Sequence, residues 1–274
     1  MRRHLILCFC ILLIPSWVLS QTNIRLKGSN SLLPLSMKLA AEFMKKNPGQ
    51  PIAVSGGGSG IGIASMTNRN CEIGMSSRSM NDFEKNSLKE YSLMFQESIV
   101  AWDGIVMVVN KDNPVEKFTR EQLAGIYSGT IKNWKELGGN DAEIIIYSRL
   151  SNSGTYQVFS EKVLDGKEIT KNALPVISNS AVVQYVRENK NAIGFACFAY
   201  VDNRVKTTSI SWDAGTTFLK PTYDNIRDKT YPLSRPLYFY FLEQNSDLVQ
   251  PFLTFLKSAE GKNLTKNEGY ILAD

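Results

Sequence analysis

Histidine is almost missing from this chain. Of 274 residues only His4 is one, and it lies in a leading segment read below as removable. Without an imidazole in the remainder, Ser-His-Asp and Cys-His mechanisms are excluded, as are histidine metal sites. Cysteine is scarce as well. Cys8 and Cys10 fall in the same leading segment, leaving Cys71 and Cys197. Each sits beside an apolar run that reads as a buried strand, Cys71-Glu-Ile-Gly-Met and Ile-Gly-Phe-Ala-Cys197-Phe, so two separate buried thiols are expected rather than one bridge. Charge of one sign is not in large excess. The net charge is +5, and only +3 remains once Arg2 and Arg3 are set aside, too little and too dispersed to mark a nucleic-acid binder. Repeats and low-complexity blocks are absent. With 43% apolar and 21% charged residues, the composition excludes disordered, collagen-like and multi-span membrane classes. The length suits one large or two small domains, with a core that needs no disulfide.

What is present begins with a leader. Residues 1–20 carry Arg2 and Arg3, an apolar run from Leu5 to Ile14, and Pro15-Ser-Trp-Val-Leu-Ser20. A basic start, a short apolar stretch and small residues at Val18 and Ser20 predict a secretory signal peptide cleaved after Ser20. The run is short for a bilayer span. Cys8 and Cys10 lie in mid-run with no small residues before them, which argues against lipidation. A soluble exported protein stays near its cell when an outer membrane confines it, so the expected location is the periplasm.

Along the rest of the chain, strand and helix alternate. Ile24-Arg-Leu-Lys reads as a strand ending at Gly28, and Pro34–Lys46 as a helix with Leu35, Leu39 and Phe43 on one face. Strands are expected at Pro51–Val54, Ile73–Met75, Ile105–Asn110, Glu143–Tyr147, Ala192–Phe198 and Leu237–Phe241. Helices are expected at Ile63–Arg69, Met80–Tyr91, Gly154–Leu164, Ser178–Glu188 and Ser246–Ala259, and a capping box Thr119-Arg-Glu-Gln122 opens one more. The alternation predicts an α/β architecture with parallel-rich sheets and ligands where strand ends meet helix starts. Two lobes fit the length, with crossings near Glu97–Asp103 and Tyr200–Val205: residues 21–102 and 205–274 in lobe 1, residues 103–204 in lobe 2.

Several strand-to-helix turns share one composition. They are Gly28-Ser29-Asn30-Ser31, Gly57-Gly58-Ser59-Gly60 and Ser153-Gly154-Thr155 with Arg149 four residues ahead; Ser76-Ser77-Arg78 adds a fourth with a cation attached. Helix starts offer unpaired N–H groups and partial positive charge, and small residues let an anion approach the backbone. One such turn is simply a capped helix; several converging with an arginine make an oxyanion site. Competing motifs fail. The glycine run has no Gly-x-Gly-x-x-Gly register, there is no Gly-Lys-Ser/Thr loop, and Ser59 is not in a nucleophile elbow because Ile61 follows. No acidic spacing suggests a metal, and no cofactor is expected.

Taken together, Gly28-Ser-Asn-Ser-Leu-Leu-Pro34, Val54-Ser-Gly-Gly-Gly-Ser-Gly60, Ile73-Gly-Met-Ser-Ser-Arg78, Asn133-Trp-Lys-Glu-Leu-Gly-Gly139 and Arg149-Leu-Ser-Asn-Ser-Gly-Thr155 resemble the phosphate-binding proteins of bacterial phosphate ABC importers. The likeness runs in order from about residue 24 to Gly269-Tyr270. It implies a two-lobed periplasmic-binding-protein fold, type II-like, closing on one phosphate without chemistry. It implies ligand contacts from Ser29, Asn30, Ser31, Ser59, Arg149, Ser153, Gly154 and Thr155, and as partners a membrane permease and its ATPase, with the chain itself a monomer. One departure stands out: Ser77 occupies the place where the best-known members carry an aspartate that accepts the phosphate's proton. Asp103, or a hydroxyl or carbonyl at Ser76–Ser77, is then expected to take over that task, with Arg78 adding charge or orienting Ser77. Alternatives are a binder of sulfate, molybdate or tungstate, a secreted phosphatase, and a sensor or adhesion module that kept the fold.

Overall fold

The computed structural model describes residues 23–273, so the leader lies outside the described residues. The first half opens with β1 (Ile24–Gly28), α1 (Leu33–Lys46), β2 (Ile52–Ser55), α2 (Ser59–Thr67), β3 (Ile73–Ser76) and α3 (Asp82–Glu90). β1 pairs in parallel with both β2 and β3, so all three strands end at the same edge. Pro34 sits at the start of α1, where its missing N–H leaves no bond unmade, and Asn81 and Glu84 form a capping box on α3.

β4 (Phe95–Val109) is a single strand of 15 residues. The crossing expected at Glu97–Asp103 is therefore strand throughout, and the chain changes halves without leaving the sheet. The second half continues with β5 (Lys117–Thr119), α4 (Arg120–Ser128), β6 (Ile145–Arg149), α5 (Gly154–Leu164), β7 (Leu174–Val176), α6 (Asn179–Glu188), β8 (Ala192–Cys197), β9 (Lys206–Thr207), β10 (Ser209–Ser211) and α7 (Tyr223–Arg227). β6 is parallel to β7 and β8, which again brings strand ends to one edge. The capping box at Thr119 and Gln122 opens α4 as the sequence predicts.

β11 (Ser234–Leu242) then runs antiparallel to β3 and to the first part of β4, followed by α8 (Ser246–Lys257), α9 (Ala259–Asn267) and β12 (Ile271–Leu272). Pro251 stands inside α8, which matches the expected helix Ser246–Ala259, and a further helix, α9, follows it. Two large buried cores result. One gathers Leu26, Leu35, Phe43, Ile73, Phe239 and Phe252; the other gathers Val106, Val108, Tyr127, Phe159, Val182 and Phe195. Val205, Ile210, Ile226, Tyr231 and Leu233 belong to the second, whereas the sequence places the return to the first lobe at 205. β4 runs from one half into the other, and β11 starts beside its middle, where Arg235 pairs with Asp103. Cys71 and Cys197 are free and buried, as expected. Among the described residues no helix is long and apolar enough to cross a membrane, and no cluster could hold a metal ion.

Candidate oxyanion site

The parallel register of the first half gathers its turns. Ser29 N–H donates to Met75 O at 2.9 Å and Gly58 N–H to Gly28 O at 2.8 Å, which ties the ends of β1, β2 and β3 together. Gly28 has φ +138°, and a Cβ there would lie 2.2 Å from Met75 O, so only glycine turns the chain this tightly. The starts of α1 and α2 and the Ser76-Ser77 turn consequently face one point. In the second half, Arg149 ends β6, Ser153 caps α5 by accepting from Thr155 N–H at 3.2 Å, and Asn179 opens α6.

The two sets meet. Ser31 Oγ and Thr155 Oγ1, one from each half, are 3.1 Å apart. A Cβ on Gly154 would lie 2.3 Å from Ser59 Oγ and 2.5 Å from Ser77 Oγ, so the start of α5 rests directly on the start of α2. Ser77 N–H donates to Ser59 Oγ at 3.0 Å. Ser29, Ser31, Ser59, Ser77, Ser153 and Thr155 are all buried. Asn30 reaches across, donating from Nδ2 to Ile177 O at 3.0 Å and accepting from Gly57 N–H at 3.0 Å. Tyr200 and Tyr270 hydroxyls donate to the carbonyls of Asn30 and Ser31 and fix that loop.

Arg149 carries the electrostatics. It is 2% exposed and makes no salt bridge among the described residues. Its Nη1 donates to Asn179 Oδ1 at 2.6 Å, Nη2 to Ile177 O at 2.9 Å and Nε to Val176 O at 3.3 Å. Burial, and then the charge of Arg235, lower it to about 10. It remains a cation at neutral pH, held by neutral acceptors alone, at a cost on the order of 3 kcal/mol. An anion beside it offsets that cost.

Two expected residues act differently. Arg78 pairs with Glu84 through two bonds of 2.6 and 2.7 Å and donates to Gln157, so its charge is neutralised beside the cluster. Asp103 is not available to a ligand proton. Its Oδ2 accepts from Arg235 Nε at 3.0 Å and Nη2 at 2.8 Å, and its Oδ1 accepts from Phe198 N–H at 3.0 Å and the Cys197 thiol at 2.9 Å. Both oxygens are committed, and burial pushes the thiol well above its ordinary range.

Arg235 and Asn179 escape the sequence reading. Arg235 is 2% exposed on β11 and donates to Ser31 Oγ at 3.3 Å, Thr155 Oγ1 at 3.0 Å and Ser77 O at 3.2 Å, touching both halves. Its signal is an arginine entering the apolar run Leu237–Phe241, opposite an aspartate entering Ile105–Asn110. Asn179 reads as part of a helix-opening cluster, but Ser178 does the capping and Asn179 joins Arg149 to Ser31.

Known proteins resemble this chain in sequence and in fold. The model of the PBP superfamily domain matches residues 18–260. The phosphate-binding protein PstS of Bacillus subtilis is 32% identical over 250 residues, covering 91% of this chain and 80% of its own. That of Staphylococcus haemolyticus is 31% identical over 256 residues, covering 89% and 79%. Among solved structures, an ABC-type phosphate transport receptor from Vibrio cholerae aligns with TM-score 0.76 and 35% identity over 91% of this chain and 100% of that one. A proposed phosphate ABC transporter substrate-binding protein from Clostridium perfringens, with phosphate bound, aligns with TM-score 0.82 and 33% identity over 92% and 100%. The two-lobed fold implied by the sequence is the fold of these proteins. This chain belongs to the PBP superfamily and, within it, to the PstS family of phosphate-binding proteins.

Proposed function

We propose that this chain captures inorganic phosphate between its two lobes and delivers it to an ABC importer. The observation that carries the reading is Arg149, a buried cation with no carboxylate partner among the described residues, set among helix starts and hydroxyls from both halves. Removing phosphate from water is costly. Each charge-assisted bond returns about 1.5–3 kcal/mol, and the starts of α2 and α5 add their dipoles. The donors are Ser29, Asn30, Ser31, Ser59, Ser77, Arg149, Ser153, Gly154 and Thr155, joined by Arg235. Because they come from two lobes, the ligand favours the closed form. We place lobe 1 at residues 23–102 and 236–273, and lobe 2 at 103–235, with β4 and β11 as the hinge.

The leader 1–20 directs export to the periplasm and is removed after Ser20. The closed protein, a monomer, then docks on a permease driven by an ATPase. The chain itself makes and breaks no covalent bond in this cycle. Isothermal titration of residues 21–274 tests the reading: saturable binding of phosphate that excess sulfate does not displace supports it. Absence of phosphate binding, or equal competition by sulfate, overturns it.

A further inference from the structure

Arg78 is buried beside the oxyanion cluster. Its Nη1 donates to Ser79 O at 2.8 Å and to Glu84 Oε2 at 2.7 Å, and its Nη2 donates to Glu84 Oε1 at 2.6 Å. Glu84 is itself held on α3, because Oε2 also accepts from Asn81 N–H at 3.0 Å in the capping box. All these partners lie in the first half, so the ion pair needs nothing from the second. Nε has a single hydrogen, and that one crosses: it goes to Gln157 Oε1 on α5.

The Gln157 amide is used at both ends. Oε1 accepts from Arg78, and Nε2 donates to Ser151 O at 3.0 Å. The second bond braces the loop 151–153, whose Asn152 also reaches the first half. Asn152 Nδ2 donates to Gly57 O at 3.1 Å, and Asn152 O accepts from Gly60 N–H at 3.5 Å. The start of α2 is thereby flanked: a Cβ on Gly60 would lie 3.9 Å from both Arg78 Nη2 and Asn152 O. Among the described residues, neither the Arg78 guanidinium nor the Gln157 amide bonds to the hydroxyls of Ser31, Ser59, Ser77 or Thr155. Both side chains border a cavity of about 560 Å³ that Glu161 and Lys162 also line, so water reaches them when they part.

We infer that Gln157, acting through Arg78, is a positioning residue that latches the closed form and so sets how long phosphate stays bound, without touching it. The inference rests on the phosphate reading of the site. Closing strands no charge here, since Glu84 already neutralises Arg78. It adds one charge-assisted bond, which must break before the halves separate. The open form lacks that bond, so capture is indifferent to it and release is not.

Stopped-flow kinetics and isothermal titration of the protein with inorganic phosphate test this. Gln157→Ala speeds phosphate dissociation about tenfold, leaves association within about twofold, and weakens affinity by the same tenfold. Arg78→Lys keeps a cation beside Glu84 and loses the Nε donor, so it speeds dissociation to a similar extent. A charge acting on the ligand itself would leave that variant close to wild type. The double variant releases phosphate no more than about twofold faster than the faster single one, because both substitutions remove the same bond. The preference for phosphate over sulfate stays within about twofold in all three, since the latch meets no ligand oxygen. Unchanged dissociation in Gln157→Ala, wild-type kinetics in Arg78→Lys, release about 100-fold faster in the double variant, or a changed preference each overturns the inference. Failure of the wild-type chain to bind phosphate overturns the phosphate reading instead.

Discussion

At the scale of the residue, the site is an exception to ordinary burial rules. A cation at 2% exposure normally faces a carboxylate, and Arg149 faces an amide and two carbonyls. The sign of its effect follows. With its folded pKa lowered to about 10, the folded chain holds that proton less tightly than the unfolded one. The cost is present at every pH below that value and is relieved as pH rises toward the ordinary arginine range. Arg149→Met therefore lowers phosphate affinity by about 100-fold. Its melting temperature without phosphate changes by only a few degrees, because relief of a buried charge offsets the lost hydrogen bonds, on the scale of about 1–3 kcal/mol each way. Scanning calorimetry with and without phosphate checks this, the expected outcome being loss of the phosphate-induced rise. Arg149 was legible because it precedes a Ser-Gly-Thr helix start by four residues. Arg235 was not, because its meaning depends on Asp103, which lies 132 positions away in sequence. No local pattern reports such a pairing.

At the scale of the element, helix starts do the positioning. α1, α2, α5 and α6 all begin at the cluster because parallel strands end there in both halves. Alternating apolar runs and caps made most of these elements legible, and small turn residues marked which ends mattered. β4 was not legible as a whole. Its first part, Phe95-Gln-Glu-Ser-Ile-Val, mixes polar and apolar residues and reads as a connection, yet pairing with β11 makes it strand. Tertiary partners override local propensity there. The contact of α5 on α2 also depends on a residue too small to see in a pattern. Gly154→Ala places a Cβ within 2.3 Å of Ser59 Oγ and 2.5 Å of Ser77 Oγ. Alanine suits the start of a helix, so each lobe stays folded, but closure is obstructed. Phosphate affinity drops at least about tenfold, and small-angle scattering shows less compaction on adding phosphate than in wild type.

At the scale of the whole molecule, stability and closure separate by pH. Burial raises Tyr127, Tyr231 and Tyr270 above the ordinary phenol range, the first two in the second core and the third in the first. Groups whose folded pKa is raised contribute stability that is complete below the unfolded value and lost above it. The fold is accordingly stable up to about pH 10 and unfolds cooperatively beyond, with tyrosinate absorbance rising in the same transition as the loss of circular dichroism. Separate, gradual ionisation before unfolding would contradict this. The two-lobed plan itself was legible from alternation, length and the order of turns, while the boundary near 205 was not, since Ile210, Ile226 and Leu233 read as apolar residues without saying which core they join. The most direct measurement is a crystal structure of the chain grown with phosphate. One tetrahedral anion is expected, bonded to Arg149, to Thr155 from the second lobe and to Ser31 and Ser59 from the first. An anion contacting one lobe only, or lying away from Arg149, would contradict it.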